Sequence, residues 1–576
     1  MRRISTERGG TGYRLAVLIG LLATLPYLNS LHGDFTFDDL GIIRDDPLVT
    51  GASASVWRLF TTVFNPGWLY RPLTMLTYLL DVRLGHGVVG CHALNVALHA
   101  LVTIATFYVA RILLQSTPTA ALSAILFAVH PIHTEAVSSI VGRAELLAAL
   151  FVLGSLFALV RATQHTGRPR IIWLAVSAGA VAIGCLAKES AFVAIPLCAI
   201  VYLWLQPPPQ WRHSVALLAP YAAVAIGYLG LRFLVVGSLT LPTKPDLLDN
   251  PLAHVPLLPR LETALVVLWH YLALLTVPAR LSADYSYNQV PVVASVFDPR
   301  SVGALALFAG LIIGLVMSRR RAPVLTLAAA FFAVPLLLTA NVLFPIGTIQ
   351  AERLLYLPSL GWCMTCAWLI THAPERQRRR CVTLATLIVL AFAARTWVRN
   401  RDWQTNFALF SATVQTSPRS AKAHHNLAVA YEQQGDVDDA MLHFREALAI
   451  YPPYEWAAFG IGKMYEEKGL DNGALEWYAT ATKLNNTLLR AHLNSGAIYY
   501  KRGELVAAER AFHAGLESQP DDPRLLIGLA LVRLAQGNRT EAQRLIDSVE
   551  PHANADPEVA KLLTEARRAI EQYSTP

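Results

Sequence analysis

Two adjacent carboxylates, Asp38 and Asp39, follow Phe35-Thr36-Phe37 just after the first apolar run, and Asp45, Asp46 and Pro47 come next. Neighbouring carboxylates repel, which raises the pKa of one of them. Such a pair could act as a general base, bind a divalent metal or orient a phosphate-bearing donor. A solvated acidic loop is the plain alternative. Downstream lie Tyr70-Arg71-Pro72-Leu73 and Asp81, then His92, Asn95 and His99. The last three, spaced by three and four, share one helical face; they could also join neighbouring membrane helices by hydrogen bonds. Next come His130-Pro131-Ile132-His133-Thr134-Glu135 and Gly142-Arg143-Ala144-Glu145. Two histidines and a glutamate are metal-ligand types, but their spacing matches no zinc helix motif. Pro131 breaks the helix, so these side chains cap or line a polar cavity. Lys188-Glu189-Ser190 separates two apolar runs, Asp284-Tyr285 follows another, and Glu352-Arg353 with Tyr356 falls between two more. Ionisable groups beside membrane spans are costly and by default mark function. Lys188 and Arg353 would meet a lipid phosphate; pairing within Lys188-Glu189 and Glu352-Arg353 is the alternative.

The elements that carry these residues are apolar. Of 576 residues, 54% are hydrophobic and 15% charged, against roughly 45–50% and about 25% in soluble domains. That excludes a soluble enzyme or a disordered chain as a description of the whole. The net charge of +8 could suggest nucleic acid, but the basic residues form no stripe. They cluster between apolar runs at Arg2, Arg3, Arg8 and Arg14; Arg161, Arg168 and Arg170; Arg319 to Arg321; and Arg376 and Arg378 to Arg380. Positive-inside loops have this pattern, so no nucleic-acid partner is expected. The six cysteines lie in or beside apolar runs and read as small buried hydrophobes, including the Cys363-Cys366 pair.

Eleven spans are expected, near 13–31, 88–114, 119–136, 139–162, 171–187, 190–206, 214–236, 301–318, 323–343, 355–373 and 381–398. The first reads as an uncleaved anchor. With the arginine clusters inside, loops 32–87 and 237–300 lie outside, as does everything after 398. Run 261–280 then lies on, or dips into, the outer surface. The acids, cations and histidines above thus map to one membrane face, as a cavity for a lipid-linked, phosphate-bearing substrate requires. The fold expected is all-α: a polytopic membrane bundle over 1–400, a linker at 401–419, and a solenoid over 420–572.

The solenoid follows from a period. Gly435, Gly469, Gly503 and Gly537 are 34 residues apart, as are Ala440, Ala474, Ala508 and Ala542. Tyr431, Tyr465 and Tyr499 keep the spacing. This is the tetratricopeptide pattern: about four helix pairs and a capping helix. The concave face of such an array usually holds a peptide. Asn426 and Asn494, two periods apart, could bind its backbone, or could be ordinary helix-surface polarity.

The blocks FTFDD, YRPL, GxHxxN (here Gly90, His92, Asn95), HPIHTEAV with GRAELLA, AKES and ERLLYLPSLG occur in this order. Together with the repeats, this resembles the transmembrane O-mannosyltransferases that carry tetratricopeptide repeats, lipid-dependent glycosyltransferases of the GT-C class. The family more often has GRADLL where this chain has Glu145, KE then glycine where it has Ser190, and ERYLY where it has Leu354. The resemblance implies transfer of a sugar, mannose in that family, from a polyprenyl or dolichyl phosphate to Ser or Thr hydroxyls of a protein held by the repeats. It places Asp38 and Asp39 at the reaction centre, either serving as base. Arg71, Lys188 and Arg353 are then the phosphate clamp, and His130, His133 and Glu135 shape the donor pocket. His92, Asn95, Arg143, Glu189, Asp284, Glu352 and Tyr356 complete the expected substrate site. No cofactor is required; a divalent metal at the acidic loop is an option the mechanism does not need. Two other readings stand beside it: a GT-C enzyme acting on a lipid or envelope polysaccharide, and a non-catalytic membrane scaffold. The active face would be extracytoplasmic, in a bacterial periplasm or an endoplasmic reticulum lumen.

Overall fold

The computed structural model describes residues 9–51, 54–63, 69–205, 211–238, 244–553 and 557–572. Arg2, Arg3 and Arg8 of the first basic cluster lie outside them. Among the described residues all regular structure is helical, with no β-strand. The chain divides into two compact units, 1–418 and 419–576.

The first unit is a bundle of apolar helices. Among the described residues, eight are long and apolar enough to cross a membrane. A ninth candidate, Thr117–Val129 with Pro131–Ser138, is bent by 52°. Pro131 lacks the N–H that would continue the ladder, so the chain turns there. Three shorter apolar helices follow, Glu189–Leu205, Pro323–Leu337 and Ser359–Thr371. Not all of the eleven spans read from the sequence are long single helices. Segment 323–343 is helical only to Leu337, and 355–373 only from Ser359. The polar stretch between them, with Gln350 and Glu352, takes the backbone out of the helix. Residues 261–276 of run 261–280 lie in one continuous 20-residue helix, Leu257–Thr276, which passes the same length and composition test.

Arg143–Thr163 is the central helix, with Leu153, Leu156 and Leu159 fully buried. The outer helices turn aliphatic side chains outward: Leu234, Met317 and Leu390 are 83%, 77% and 61% exposed. Exposure on that scale calls for hydrocarbon rather than water. All six cysteines are free.

Residues 406–416, expected as part of a linker, instead form the helix Asn406–Thr416, whose Leu409 and Phe410 are buried in the first unit. The second unit is the expected array. Helix pairs run from Ala421–Gln434 with Val437–Ile450 to Pro523–Ala535 with Arg539–Ala553, and Pro557–Gln572 follows. Gly435, Gly469, Gly503 and Gly537 all have positive φ, +70° to +83°. They end the first helix of each pair in the left-handed conformation that glycine adopts without penalty. Ala440, Ala474, Ala508 and Ala542 are fully buried where the paired helices meet.

Candidate functional site

Asp39 and Asp38 are adjacent but differently placed. Asp39 is fully buried. Its Oδ1 accepts from Val141 N at 2.8 Å and from Ser139 Oγ at 3.4 Å, and its Oδ2 accepts from Thr36 N at 3.2 Å. It ties the acidic loop to the 139–141 turn. Burial raises its pKa to about 7, against the pull of those backbone donors. Asp38 is half-buried and has no hydrogen-bond or ion-pair partner among the described residues. Its charge is felt by Arg353. The preceding Phe37 has φ +52°, a left-handed conformation that costs a side-chain-bearing residue about 1–2 kcal/mol. The other acids of the loop have their own partners: Asp45 pairs with Arg44 at 2.7 Å, and Asp46 accepts from Leu48 N at 2.8 Å.

The cations gather beside this loop, and each is paired. Arg71 makes a two-point contact with Glu189, at 3.0 and 2.6 Å. Lys188 pairs with Glu145. Arg353 pairs with Glu135 through its side chain, and its backbone N–H donates to the same carboxylate at 2.7 Å. Sequence neighbours thus do not pair. Lys188 and Glu189 take different partners, as do Glu352 and Arg353, because successive residues in these short turns project in different directions. Arg71, Lys188 and Arg353 also act on one another. Burial lowers the Lys188 pKa, and Arg71 and Arg353 add to the effect against the pull of Glu145. Burial works against the charge of Arg353, but Glu135 and then Asp38 more than offset it. Thr74 Oγ1 donates to Ala187 O at 2.8 Å, fixing the start of Pro72–Arg83 next to Lys188.

Below the charges runs a cleft lined by Glu145, Ala148, Ala149, Val152, Val193, Pro335, Leu354 and Leu357. It is apolar apart from Glu145 and a few hydroxyls, and it lies between Arg143–Thr163 and the end of Pro323–Leu337.

The remaining expected residues support rather than line this arrangement. Arg143 is fully buried and spends its guanidinium on Asp81 at 2.5 Å, Asn95 Oδ1 at 2.9 Å, Thr77 Oγ1 at 3.1 Å and Cys91 O at 3.1 Å. It is a strut between three elements, with nothing left for a donor phosphate. Asn95 donates to Ser139 O at 2.9 Å and so carries the strut to the turn that holds Asp39. His130 Nε2 donates to Leu275 O at 2.9 Å. His133 Nε2 meets Ser359 Oγ at 2.8 Å, and Tyr356 OH meets His99 Nδ1 at 2.8 Å. These rings form a packed aromatic cluster with Phe127. His92 lies against Gly33, its ring nitrogens buried without a hydrogen-bond partner among the described residues. Asp284 accepts from Ser286 N at 2.8 Å and shapes its own turn. Glu352 accepts from Ser282 N at 2.5 Å and Tyr285 OH at 2.8 Å, both on one oxygen. Burial raises its pKa to about 7, opposed by Arg399. Among the described residues no group of three or more His, Cys, Asp or Glu side chains is arranged to hold a metal ion.

The family model described as protein O-mannosyl-transferase TMTC, DUF1736, matches residues 243–312. Tetratricopeptide models match 421–454 and 499–566. A Caenorhabditis elegans protein named protein O-mannosyl-transferase F38B6.6 is 31% identical over 466 residues, covering 79% of this chain and 65% of that one. Human protein O-mannosyl-transferase TMTC3 is 25% identical over 561 residues, covering 88% and 60%. This chain is similar to these two proteins over most of its own length and spans less than two thirds of theirs. Among solved structures, MamA aligns with TM-score 0.24 and 18% identity over 25% of this chain and 85% of its own.

In the repeats, Asn426 is half-buried and without a partner among the described residues. Asn494 is engaged: its amide donates to Tyr478 OH at 3.0 Å. The sequence reading named Glu145 and Asp81 in its polar clusters without giving either a role in the site, and passed over Ser282, Arg399 and Asn406. These three are ordinary until the fold brings distant segments together.

Proposed function

We propose that this chain is a membrane glycosyltransferase of the inverting, lipid-phosphate-dependent kind, transferring a sugar, mannose by kinship, to Ser or Thr hydroxyls of proteins. The observation that carries this is Asp38, a carboxylate with no partner among the described residues, whose charge acts on Arg353, where Arg353 interacts with Arg71 and Lys188 and the Lys188 partner Glu145 lines an apolar cleft. A polyprenyl or dolichyl chain would lie in the cleft, and its phosphate would exchange for Glu135, Glu145 or Glu189 on Arg353, Lys188 and Arg71. Asp38 would accept the proton of the acceptor hydroxyl as its oxygen attacks the anomeric carbon. The bond from that carbon to the phosphate oxygen breaks, and its electron pair leaves with the lipid phosphate. The cations stabilise that charge, so no general acid is needed. Asp39 anchors the loop. No step here runs through a metal.

The repeats would hold the polypeptide acceptor and raise its local concentration at the site. That requires repeats and acidic loop in one extracytoplasmic compartment, as the arginine distribution predicts. Glycopeptide mass spectrometry of cells carrying the wild type or Asp38→Asn tests the reading. Protein-linked hexose should disappear with Asp38→Asn and fall on deletion of 420–576. Persistence of full protein glycosylation in Asp38→Asn would refute it. Loss of lipid glycosylation alone would favour the lipid or polysaccharide reading.

A further inference from the structure

Phe37 is the one aromatic residue with positive φ among the described residues; the other non-glycine cases are Gln115 and Asn341. A conformation of this kind persists only where the surroundings over-determine it. Here the surroundings come from the far end of the first unit. Phe37 N donates to Asn406 Oδ1 at 2.8 Å. The Phe37 ring meets Phe410 edge-on, with centroids 5.6 Å apart at 85°. Asp34 N donates to Gln404 O at 2.9 Å. The helix that supplies these groups, Asn406–Thr416, is itself fixed at both ends. Thr405 caps its start by accepting from Ala408 N, and Ser417 Oγ donates to Ser282 Oγ at 2.7 Å at its end. Within the loop, Thr36 N binds Asp39 and Asp39 N returns to Thr36 O at 3.0 Å. Asp39 thus sets one side of Phe37, and Asn406 with Phe410 sets the other. Asp38 follows immediately, and among the described residues it shares none of the hydrogen bonds that take up Asp39.

We propose that Asn406 and Phe410 are positioning residues for Asp38, holding Phe37 in the left-handed turn that keeps the Asp38 carboxylate free beside Arg353. This rests on the reading of Asp38 as the base. A displacement of about 1 Å at a reacting group can cost on the order of a hundredfold in rate. The amide oxygen of Asn406 is spent on Phe37 N, so its loss should act on turnover and not on binding. Asn406→Asp keeps an acceptor oxygen for Phe37 N.

The test uses the full-length protein in membranes. Asn406→Ala should lower kcat roughly ten- to a hundredfold, with KM for lipid donor and peptide within about twofold. Asn406→Asp should restore most of kcat. Independently of activity, Asp38→Cys in a background free of other cysteines should react with a membrane-impermeant maleimide at a rate that changes severalfold on adding Asn406→Ala and returns with Asn406→Asp. If Asn406→Ala does not accumulate, Phe410→Leu carries both readouts. Unchanged kcat and unchanged labelling in Asn406→Ala would overturn the inference while leaving the base in place. Full activity in Asp38→Asn would remove the base, and the labelling arm alone would then decide whether Asn406 sets the turn.

Discussion

Asparagine substitutions at Asp38 and Asp39 should separate the two aspartates cleanly. Asp39 uses both oxygens as acceptors for backbone amides, Val141 N on one and Thr36 N on the other. An asparagine has a single acceptor oxygen, so one of those buried N–H groups would face the new NH2. An unsatisfied buried donor costs roughly 1–3 kcal/mol. Asp39→Asn should therefore lower the stability of the first unit by about that amount, and transfer should fall only as far as the loop loses its shape. Asp38 has no partner to lose and is half-buried, so Asp38→Asn should leave stability within about 0.5 kcal/mol. It should cost roughly 10²- to 10⁴-fold in kcat, the range for a positioned base. The assay is thermal unfolding of the detergent-solubilised protein, run beside transfer to a peptide from a synthetic polyprenyl-phosphate sugar. The reasoning is refuted if Asp38→Asn lowers the melting temperature as much as Asp39→Asn. It is equally refuted if Asp39→Asn abolishes transfer with no change in melting while Asp38→Asn stays active.

Glu352 places both donors on one oxygen and leaves the other bare, so Glu352→Gln should be tolerated. With its pKa raised from 4.5 to about 7, Glu352 contributes stability that is fully present below about pH 4.5 and lost as pH rises through about 7. The contribution is on the order of 3 kcal/mol. Arg399, Glu135 and Tyr285 face it, and thermal melts across this range should show a flatter profile in Glu352→Gln. Arg143→Met leaves buried Asp81 with His86 as its remaining ion-pair partner among the described residues, so a loss of about 3–5 kcal/mol is expected. The double variant with Asp81→Leu should recover part of it in the same melt. Asn426→Ala should raise KM for a peptide acceptor without changing the melt, whereas Asn494→Ala, by removing the donor to the Tyr478 hydroxyl that in turn binds Glu466, should lower the melting temperature of the repeats.

The sequence alone determined whatever depends on local periodicity. A 34-residue recurrence of glycine and alanine is a helix-pair array wherever it occurs, because the left-handed turn and the close helix contact are properties of those residues. Runs of apolar residues become helices because a backbone surrounded by hydrocarbon must satisfy its own hydrogen bonds. The candidate acids and cations were legible too, since charge beside an apolar run is costly unless used. Their partners were not. Lys188 next to Glu189 and Glu352 next to Arg353 look like pairs on the page, yet the fold assigns Lys188 to Glu145, Arg71 to Glu189 and Arg353 to Glu135. Arg143, which looked like a ligand for phosphate, is spent on Asp81 and Asn95. Most decisively, nothing in the run Phe37-Asp38-Asp39 distinguishes its two carboxylates. A segment some 370 residues away does so by bending one backbone torsion, because which acid is buried depends on what packs against the loop and not on the loop itself.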